Sequence, residues 1–278
     1  MDFTGEIMSS TNFILKKLKE YKKEVFELMV VAGKGHVPSS FSISEILATL
    51  MYGGFINLNK ENLKEKRRDR IIISKGHAAM ALYPIFKDLG FFDEKEMALF
   101  TKPEGLLRLY ADPSIPGIET VTGSLGNGFG IGCGMALSAK KDKRDSLVVV
   151  ILGDGECYEG SVWETALLAA HQKLENLLVI VDRNKLCIMD ETEKCVELGD
   201  MKAKWQAFGW DSCDIDGHSI NDLFNFLSDW KNKKRAKPFA LIAHTVKGKG
   251  ISYMENQPLW HNKIPNQKQI EQARLELA

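Results

Sequence analysis

The strongest chemical signal in the sequence is a pair of polar side chains that each follow an apolar run. Asp154 lies between two glycines directly after the run 147–152, and Asn184 closely follows the run 177–181. If both runs are parallel strands of one sheet, their carboxyl ends present a carboxylate and an amide oxygen at the same edge. Such oxygens suit Mg²⁺, which also takes diphosphate oxygens, a backbone carbonyl and water. The flanking glycines let backbone N–H groups approach a phosphate closely.

Three other interpretations of the glycine-containing segments are a plain turn, a Rossmann nucleotide site and a P-loop. Gly-Asp-Gly alone is also common in plain strand-to-helix turns; its pairing with Asn184 is what makes the signal specific. The glycine-rich segment 123–128 contains no G-x-G-x-x-G and follows a turn, which disfavours a Rossmann nucleotide site. The sequence has no G-x-x-x-x-G-K-[ST], which removes the P-loop class.

The elements that must position these groups alternate between strands and helices. Apolar runs predict buried strands at 71–73, 147–152, 177–181 and 239–243, and apolar spacing predicts helices at 12–31 and 163–174. A capping box at 42–45 predicts a helix over 46–51, and small residues predict another from Ala78. Continuous apolar strands alternating with helices indicate an α/β fold, a mostly parallel sheet with helices on both faces. With neither linker nor repeat, we expect one domain over 1–278.

Composition narrows the class of protein. The 278 residues include 37 Lys+Arg and 37 Asp+Glu, and zero net charge argues against nucleic acid or an anionic membrane as the partner. No apolar run approaches the ~20 residues that span a bilayer, and the N-terminus lacks the apolar segment of a secretion signal. The five cysteines form no CxxC, which argues against a disulfide framework or structural zinc and favours a reducing compartment. We therefore expect a cytoplasmic protein.

Further motifs occur in a fixed order along the chain. They are Gly35-His36, Ser-Lys-Gly-His at 74–77, Thr-Gly-Ser-Leu-Gly-Asn-Gly at 122–128, Gly-Asp-Gly-Glu-Cys-Tyr-Glu-Gly at 153–160 and Trp260-His261. This order resembles that of transketolases, and Gly-Asp-Gly followed by Asn184 resembles the thiamine diphosphate binding motif. The resemblance spans about 21–265. It implies the diphosphate-binding domain of the thiamine diphosphate-binding fold, with thiamine diphosphate and Mg²⁺, Ca²⁺ or Mn²⁺ as cofactors.

The resemblance also implies roles for individual residues. The metal ligands are Asp154, Asn184 and the Leu186 carbonyl. Among the cofactor-binding residues, His77, His261 and the Gly155 N–H contact the phosphates, and Gly123 and Leu125 pack against the rings. The group also includes the metal ligand Asn184. Its last member is Glu159, which links two active sites at a dimer interface. The catalytic group comprises His36, which moves protons at sugar hydroxyls, together with His77, Asp112 and His261.

The resemblance covers only the first part of a transketolase. Full transketolases are more than twice as long, and this sequence ends shortly after Trp260-His261, where the family's first domain ends. It is therefore similar to the N-terminal subunit of a split transketolase. Its partner would be a C-terminal, pyrimidine-binding subunit that carries the glutamate activating the aminopyrimidine. We expect homodimerisation through residues 163–174 near Glu159, hence an α2β2 complex acting on sugars or sugar phosphates.

Two departures from the family pattern affect the substrate end. The family's Gly-His-x-Gly-Gly is here Gly35-His36-Val-Pro38-Ser, and its Gly-His-Pro is Ala-Asp112-Pro. Asp112 thus stands where a substrate-contacting histidine is expected. A carboxylate only accepts hydrogen bonds, which changes which hydroxyls or phosphates it can bind. The metal-binding and cofactor-binding residues match the family pattern. The resemblance therefore supports a prediction of cofactor binding more strongly than a prediction of sugar specificity.

The predicted activity is transfer of a two-carbon ketol unit from a ketose to an aldose. Three alternatives remain. A 2-oxo acid dehydrogenase α-subunit or a deoxyxylulose phosphate synthase shares the metal motif, although segments 157–160 and 182–184 favour transketolase. A specialised ketol-transfer enzyme for an unusual biosynthetic sugar suits Pro38 and Asp112. A non-catalytic half that only stabilises a partner is the third.

Overall fold

The computed structural model describes residues 11–188 and 190–278. Its centre is a sheet of five parallel strands in the order β1-β2-β3-β5-β4. The strands are β1 (Arg70–Ile73), β2 (Val148–Gly153), β3 (Leu177–Arg183), β4 (Asp211–Asp216) and β5 (Phe239–His244). All neighbouring pairs are parallel, so every strand ends at the same edge of the sheet.

Helices connect the strands and cover them. They are α1 (Thr11–Ala32), α2 (Val37–Phe41), α3 (Ser44–Tyr52), α4 (Tyr83–Asp88), α5 (Glu94–Ala98), α6 (Asn127–Lys141), α7 (Gly160–His171), α8 (Thr192–Cys195), α9 (Met201–Ala207), α10 (Ile220–Asn232) and α11 (Gln267–Glu276), with 3₁₀ turns at Gly76–Leu82, Gly155–Tyr158 and Pro258–Trp260. Within the described ranges, no helix combines the length and apolar character needed to cross a membrane.

The sheet has an apolar core on each face because successive strand side chains point in opposite directions. On β2, Val149 and Ile151 pack with α1, α3, α4 and α10, whereas Val148 and Val150 pack with α6, α7 and α9. Strands buried on both faces are continuous apolar runs, which is how the sequence predicted them. The predicted parallel α/β sheet with helices on both faces is confirmed, and the predicted helix 12–31 is α1.

Three local predictions differ from the structure. Helix α3 begins after Ile43, which gives no side-chain cap, so the predicted capping box is wrong. The hydroxyl of Ser42 instead donates to the distant Asp182 carboxylate at 2.6 Å. The small-residue segment at Ala78 forms a 3₁₀ turn before α4. Strand β4 was not predicted, because it is a mostly polar edge strand that pairs only with β5.

Candidate functional site

A cavity of about 490 Å³ opens at the carboxyl ends of the strands. Its lining comes from the loops that follow β1, β2, β3 and β5, where a parallel sheet collects ligand-binding groups. The predicted site residues in this lining are His77, Gly123, Leu125, Asp154, Gly155, Asn184, Leu186 and His261. Three other predicted residues, His36, Asp112 and Glu159, are not among the residues that line the cavity.

Asp154 lies buried at the base of the cavity and its carboxylate is held from two sides. One carboxylate oxygen accepts the Gly155 N–H at 2.8 Å, and the other accepts the Lys185 N–H at 2.6 Å. Burial, and then the neighbouring Asp182 carboxylate, raises the pKa of Asp154 to about 6. Asn184 accepts the Leu186 N–H at 3.1 Å through its amide oxygen. The sheet thus brings these predicted metal ligands to one edge.

Asp182 is a buried centre of hydrogen bonding that the sequence did not reveal. Its carboxylate accepts bonds from the Lys75 ammonium, the Ser42 hydroxyl, the Asn184 amide at 2.7 Å and the Thr245 hydroxyl. Burial acts to raise the pKa of Asp182, but the Lys75 charge and these donors outweigh it, so the pKa is lowered. The loops after β1, β3 and β5 are therefore joined through one carboxylate.

Arg183 connects Asp154 with the segment after β3. Its guanidinium lies 3.3 Å from the Asp154 carboxylate, donates to the Thr192 hydroxyl at 2.9 Å and pairs with Glu193. The guanidinium is almost fully buried, so its charge must be paired where it lies. Helix α8, which contains Thr192 and Glu193, is held against the cavity by these contacts.

Three histidine rings form a cluster above the carboxylates. The ring centroids lie 5.4 Å apart for His36 and His77, 5.2 Å for His36 and His261, and 5.1 Å for His77 and His261. Burial lowers the pKa of each ring, with further lowering from the positive charge of Lys247; the pKa of His261 falls to about 3. All three imidazoles are therefore neutral near pH 7.

Several polar atoms beside this cluster have no protein partner. The Nδ1 atoms of His36 and His261 and the Ser39 hydroxyl are buried, and none finds a hydrogen-bond partner within the described part of the chain. Buried polar groups are normally bonded. Ser39 and His261 line the cavity directly, so their unpartnered atoms are positioned to bond a ligand. Sequence reasoning assigned no role to Ser39.

Lys247 adds a buried ammonium group to the cavity lining. Burial, and then the charge of Lys75, lowers its pKa to about 8. Its loop is anchored by the Gly248 N–H, which donates to the Pro38 carbonyl at 3.0 Å, and by the Val246 N–H, which donates to His218 Nε2 at 2.8 Å. The loop after β5 and the loop that carries His36 are thus fixed to each other.

A second buried network holds the same loop from beneath. Glu45 on α3 contacts His218 Nδ1 at 2.9 Å and accepts from the Lys22 ammonium at 2.7 Å. Lys22 also donates to the Lys249 carbonyl at 3.1 Å. Although burial acts to raise the pKa of Glu45, His218 and Lys22 lower it. Helices α1 and α3 therefore support the Lys247 loop through charged hydrogen bonds.

The turn before α6 depends on a glycine. Gly126 has φ +83°, and a Cβ there would lie 2.4 Å from the Ser161 hydroxyl, so both conformation and space require glycine. Its N–H donates to the buried Glu156 carboxylate at 2.8 Å. Glu156 also accepts from the Gly153 N–H at 3.1 Å. One carboxylate thereby fixes the Gly123–Leu125 turn relative to the end of β2.

Asp112 and Glu159 lie away from the cavity lining. The Asp112 carboxylate accepts the Ser114 N–H at 2.8 Å and the Ser114 hydroxyl, closing a local turn near the surface. Glu159 is exposed and precedes α7, whose Leu167 and Leu168 are 58% and 47% exposed. The roles predicted for both residues stay predictions.

The family model for the transketolase thiamine diphosphate binding domain matches residues 23–278. The chain belongs to the transketolase family. It is 39% identical to an apulose-4-phosphate transketolase subunit of Phocaeicola vulgatus, over 92% of this chain and 91% of the relative. It is 35% identical to a 6-deoxy-6-sulfo-D-fructose transketolase subunit of a Clostridium species, over 87% of each chain.

A solved transketolase confirms the fold of this family member. The Campylobacter jejuni enzyme superposes with a TM-score of 0.87 and 26% identity over 95% of this chain, which covers 42% of that protein. The chain therefore matches nearly the whole of a separate transketolase subunit but only about two fifths of a full-length transketolase. The resemblance predicted from the ordered motifs is confirmed, as is the thiamine diphosphate-binding type of domain.

Proposed function

We propose that this chain is the thiamine diphosphate-binding half of a two-chain transketolase, which transfers a two-carbon ketol unit from a ketose to an aldose. Family membership and the match to separate transketolase subunits support the proposal. The proposal treats residues 1–278 as one domain. Cysteine usage supports a reducing compartment such as the cytoplasm.

The observation that carries the proposal is the chemistry of the cavity. The cavity lining contains the Ser39 hydroxyl and His261 Nδ1, buried polar atoms without protein partners in the described part of the chain, and the buried ammonium group of Lys247. His36 Nδ1, on the ring that packs against His261, likewise has no partner there. Such donors fit a doubly charged diphosphate. A volume of about 490 Å³ lies in the range of small-molecule sites. The residues present therefore fit thiamine diphosphate.

A divalent metal completes this proposal. Asp154 and Asn184 follow neighbouring strands, and Leu186 lies beside them in the cavity lining. A carboxylate, an amide oxygen and a backbone carbonyl match the oxygen ligands of Mg²⁺, with Ca²⁺ or Mn²⁺ as substitutes. The metal would neutralise the diphosphate, and the Gly155 N–H would donate to it.

The remaining residues act on the cofactor rings and the substrate. When bound, thiamine diphosphate supplies the carbanion that breaks and forms the C–C bond beside a carbonyl. Gly123 and Leu125 would pack against its rings, and His77 and His261 would contact its phosphates. A neutral imidazole at His36 can accept or donate a proton at a substrate hydroxyl. Asp112 would contribute to the choice of sugar.

The proposed assembly is α2β2. A separate C-terminal subunit would supply the pyrimidine-binding surface and the glutamate that activates the aminopyrimidine. Exposed Leu167 and Leu168 on α7, beside Glu159, support homodimerisation, since contiguous exposed apolar side chains favour a protein partner. The substrates are a ketose donor and an aldose acceptor, and the two subunit relatives are named for unusual sugars.

Mixing experiments test this function. The purified chain is assayed for ketol transfer alone and mixed with a C-terminal transketolase subunit from the same organism, using a panel of ketoses and aldoses. We expect activity only in the mixture, together with calorimetric binding of thiamine diphosphate and Mg²⁺. Full turnover by the chain alone would contradict the two-chain proposal. Absence of cofactor binding in the mixture would contradict the cofactor assignment.

A further inference from the structure

Two cysteine side chains meet on the wall of the cavity. The Sγ atoms of Cys187 and Cys195 lie 3.3 Å apart, and both residues belong to the cavity lining. A disulfide bond has a sulfur–sulfur distance of about 2.05 Å. The two sulfurs therefore need to approach by only slightly more than one ångström, within the reach of small side-chain rotations.

Backbone hydrogen bonds, and not only the side-chain rotamers, bring the two cysteines together. The Cys187 N–H donates to the Asp190 carbonyl at 3.0 Å, and the Thr192 N–H donates to the Lys185 carbonyl at 2.9 Å. These bonds fold the chain back on itself. Cys195 ends the short helix α8 that follows, so the fold returns it to the start of the same loop.

Contacts on the far side hold α8 in this place. The Tyr158 hydroxyl lies 2.7 Å from the Thr192 carbonyl and 2.8 Å from the Val196 carbonyl. The buried Arg183 donates to the Thr192 hydroxyl at 2.9 Å. Cys187 itself packs on the turn that follows β2, because a Cβ placed on Gly155 would lie 3.3 Å from the Cys187 Cβ. Both thiols are thus attached to the framework of the cavity.

The other cysteines differ in access. Cys133 and Cys157 are buried, so an oxidant in solution does not reach their thiols readily. Cys213 is half-buried on β4, at the edge of the sheet. Cys195 is exposed, so a small oxidant in solution reaches it first. Cys187 then lies within contact distance to react with it.

We propose that Cys187 and Cys195 are a reversible modification site, at which a peroxide forms a disulfide bond that fastens one wall of the cavity. The Cys195 thiolate attacks one oxygen of hydrogen peroxide, and the O–O bond breaks. The attacked oxygen becomes the hydroxyl of a sulfenic acid, and the other oxygen takes up a proton and leaves as water. The Cys187 sulfur displaces the hydroxyl of that sulfenic acid as a second water. Two thiols are oxidised and one peroxide is reduced to two waters.

The bond closes a ring over residues 187–195, directly after Leu186. Its described residues, 187–188 and 190–195, then keep the arrangement that the structure gives them, and their backbone opens less often. The effect on the site rests on the proposed function: thiamine diphosphate held beside this wall dissociates more slowly when the wall cannot open. A thiol reductant removes the bond and restores exchange.

Intact mass spectrometry of the full chain treated with stoichiometric hydrogen peroxide tests the modification. We expect a loss of about 2 Da that dithiothreitol reverses, with peptide mapping to Cys187 and Cys195. Cys195→Ser and Cys187→Ser should abolish the loss, and the matched control Cys213→Ser should keep it. Mass gain by added oxygen without a disulfide, a bond to Cys213, or a bond between two chains would each overturn the proposal.

Two further measurements test the fastening of the wall. Amides of the loop should exchange with deuterium at least about threefold more slowly in oxidised than in reduced protein, a readout that needs no cofactor. In the mixture with the C-terminal subunit, thiamine diphosphate with Mg²⁺ should dissociate at least about threefold more slowly from the oxidised form. Unchanged amide exchange would overturn the fastening. Failure of both forms to bind thiamine diphosphate would instead contradict the proposed function and leave the mass and exchange results decisive.

Discussion

The two walls of the cavity are built on different principles. On the carboxylate wall, Asp154 lines the cavity and is bonded to Arg183 and two backbone N–H groups, and the neighbouring buried Asp182 is bonded to Lys75. On the histidine wall, rings about 5 Å apart are placed by packing. The first wall is rigid before any ligand arrives. On the histidine wall, polar ring atoms remain available to bond a ligand.

Burial acts on both walls but with different results. It raises the pKa of Asp154 and lowers the pKa of His36 and His261, so each group is pushed toward neutrality. Asp182 departs from this trend because the Lys75 charge lowers its pKa despite burial. The charge of Asp182 is therefore held by close contact with Lys75 and hydroxyl donors, whereas the Arg183 guanidinium at 3.3 Å does not outweigh the burial of Asp154.

The largest effect should follow from breaking that pair. Lys75→Met leaves the Asp182 carboxylate buried without its cation, which should lower the free energy of unfolding by about 3–5 kcal/mol. Urea denaturation measures it. The matched control Lys204→Met, at an exposed position on α9, should change stability by less than about 0.5 kcal/mol. Equal stability of Lys75→Met and wild type would show that the pair does not hold the carboxylate wall together.

Removal of the proposed metal ligand should have the next largest effect. Asp154→Ala should weaken binding of thiamine diphosphate with Mg²⁺ by roughly 100-fold, which corresponds to about 2.7 kcal/mol, because the phosphates then face an under-coordinated cation. Calorimetry in the partner's presence measures it. Asn184→Ala provides a second variant, and the exposed Asp145→Asn serves as control. Wild-type affinity in folded Asp154→Ala would refute the ligand assignment.

Low pH should reduce the free energy of unfolding through the buried His261 ring. Burial, and then the positive charges of Lys247 and Lys75, hold the pKa of His261 at about 3, below the ~6.5 of an unfolded histidine. Between these values the unfolded state binds more protons, so this contribution to stability is lost as pH falls below about 6.5.

Replacing His261 should therefore flatten the acid dependence. The urea midpoint of His261→Gln should fall less between pH 7.5 and 5 than that of wild type. Asp154, whose raised pKa acts in the opposite direction, is present in both proteins. His171→Gln, at an exposed position, should behave as wild type. A wild-type slope in His261→Gln would show that this ring does not resist protonation in the folded state.

The smallest effect on cofactor binding should come from Asp112→His. Asp112 lies off the cavity lining and bonds Ser114, so affinity for thiamine diphosphate should stay within about threefold of wild type. Relative kcat/KM values among sugars should change, because the substitution alters contacts to the substrate in the transition state. Steady-state assays across donor and acceptor sugars measure this. An unchanged sugar profile would make Asp112 a structural loop residue.

The sequence predicts what is locally encoded. Strands β2 and β3 are continuous apolar runs, and the polar turns after them mark Asp154 and Asn184, so the sheet and one wall were predictable. Lys75 and Asp182 are separated by 107 positions, and no local spacing reveals such a pair. At Ser42 the local sequence pattern was misleading. It predicted a helix cap, whereas the Ser42 hydroxyl forms a long-range bond to Asp182.

The bond from Val246 to His218 has a consequence for the ring itself. A backbone N–H donates only to an unprotonated nitrogen, so the 2.8 Å bond assigns the lone pair to Nε2 and the hydrogen to Nδ1, which faces Glu45. The two ring nitrogens then give distinct nitrogen-15 resonances. Because the bond exists only while the Lys247 loop is seated, His218 is an internal spectroscopic reporter of that loop, readable without any ligand.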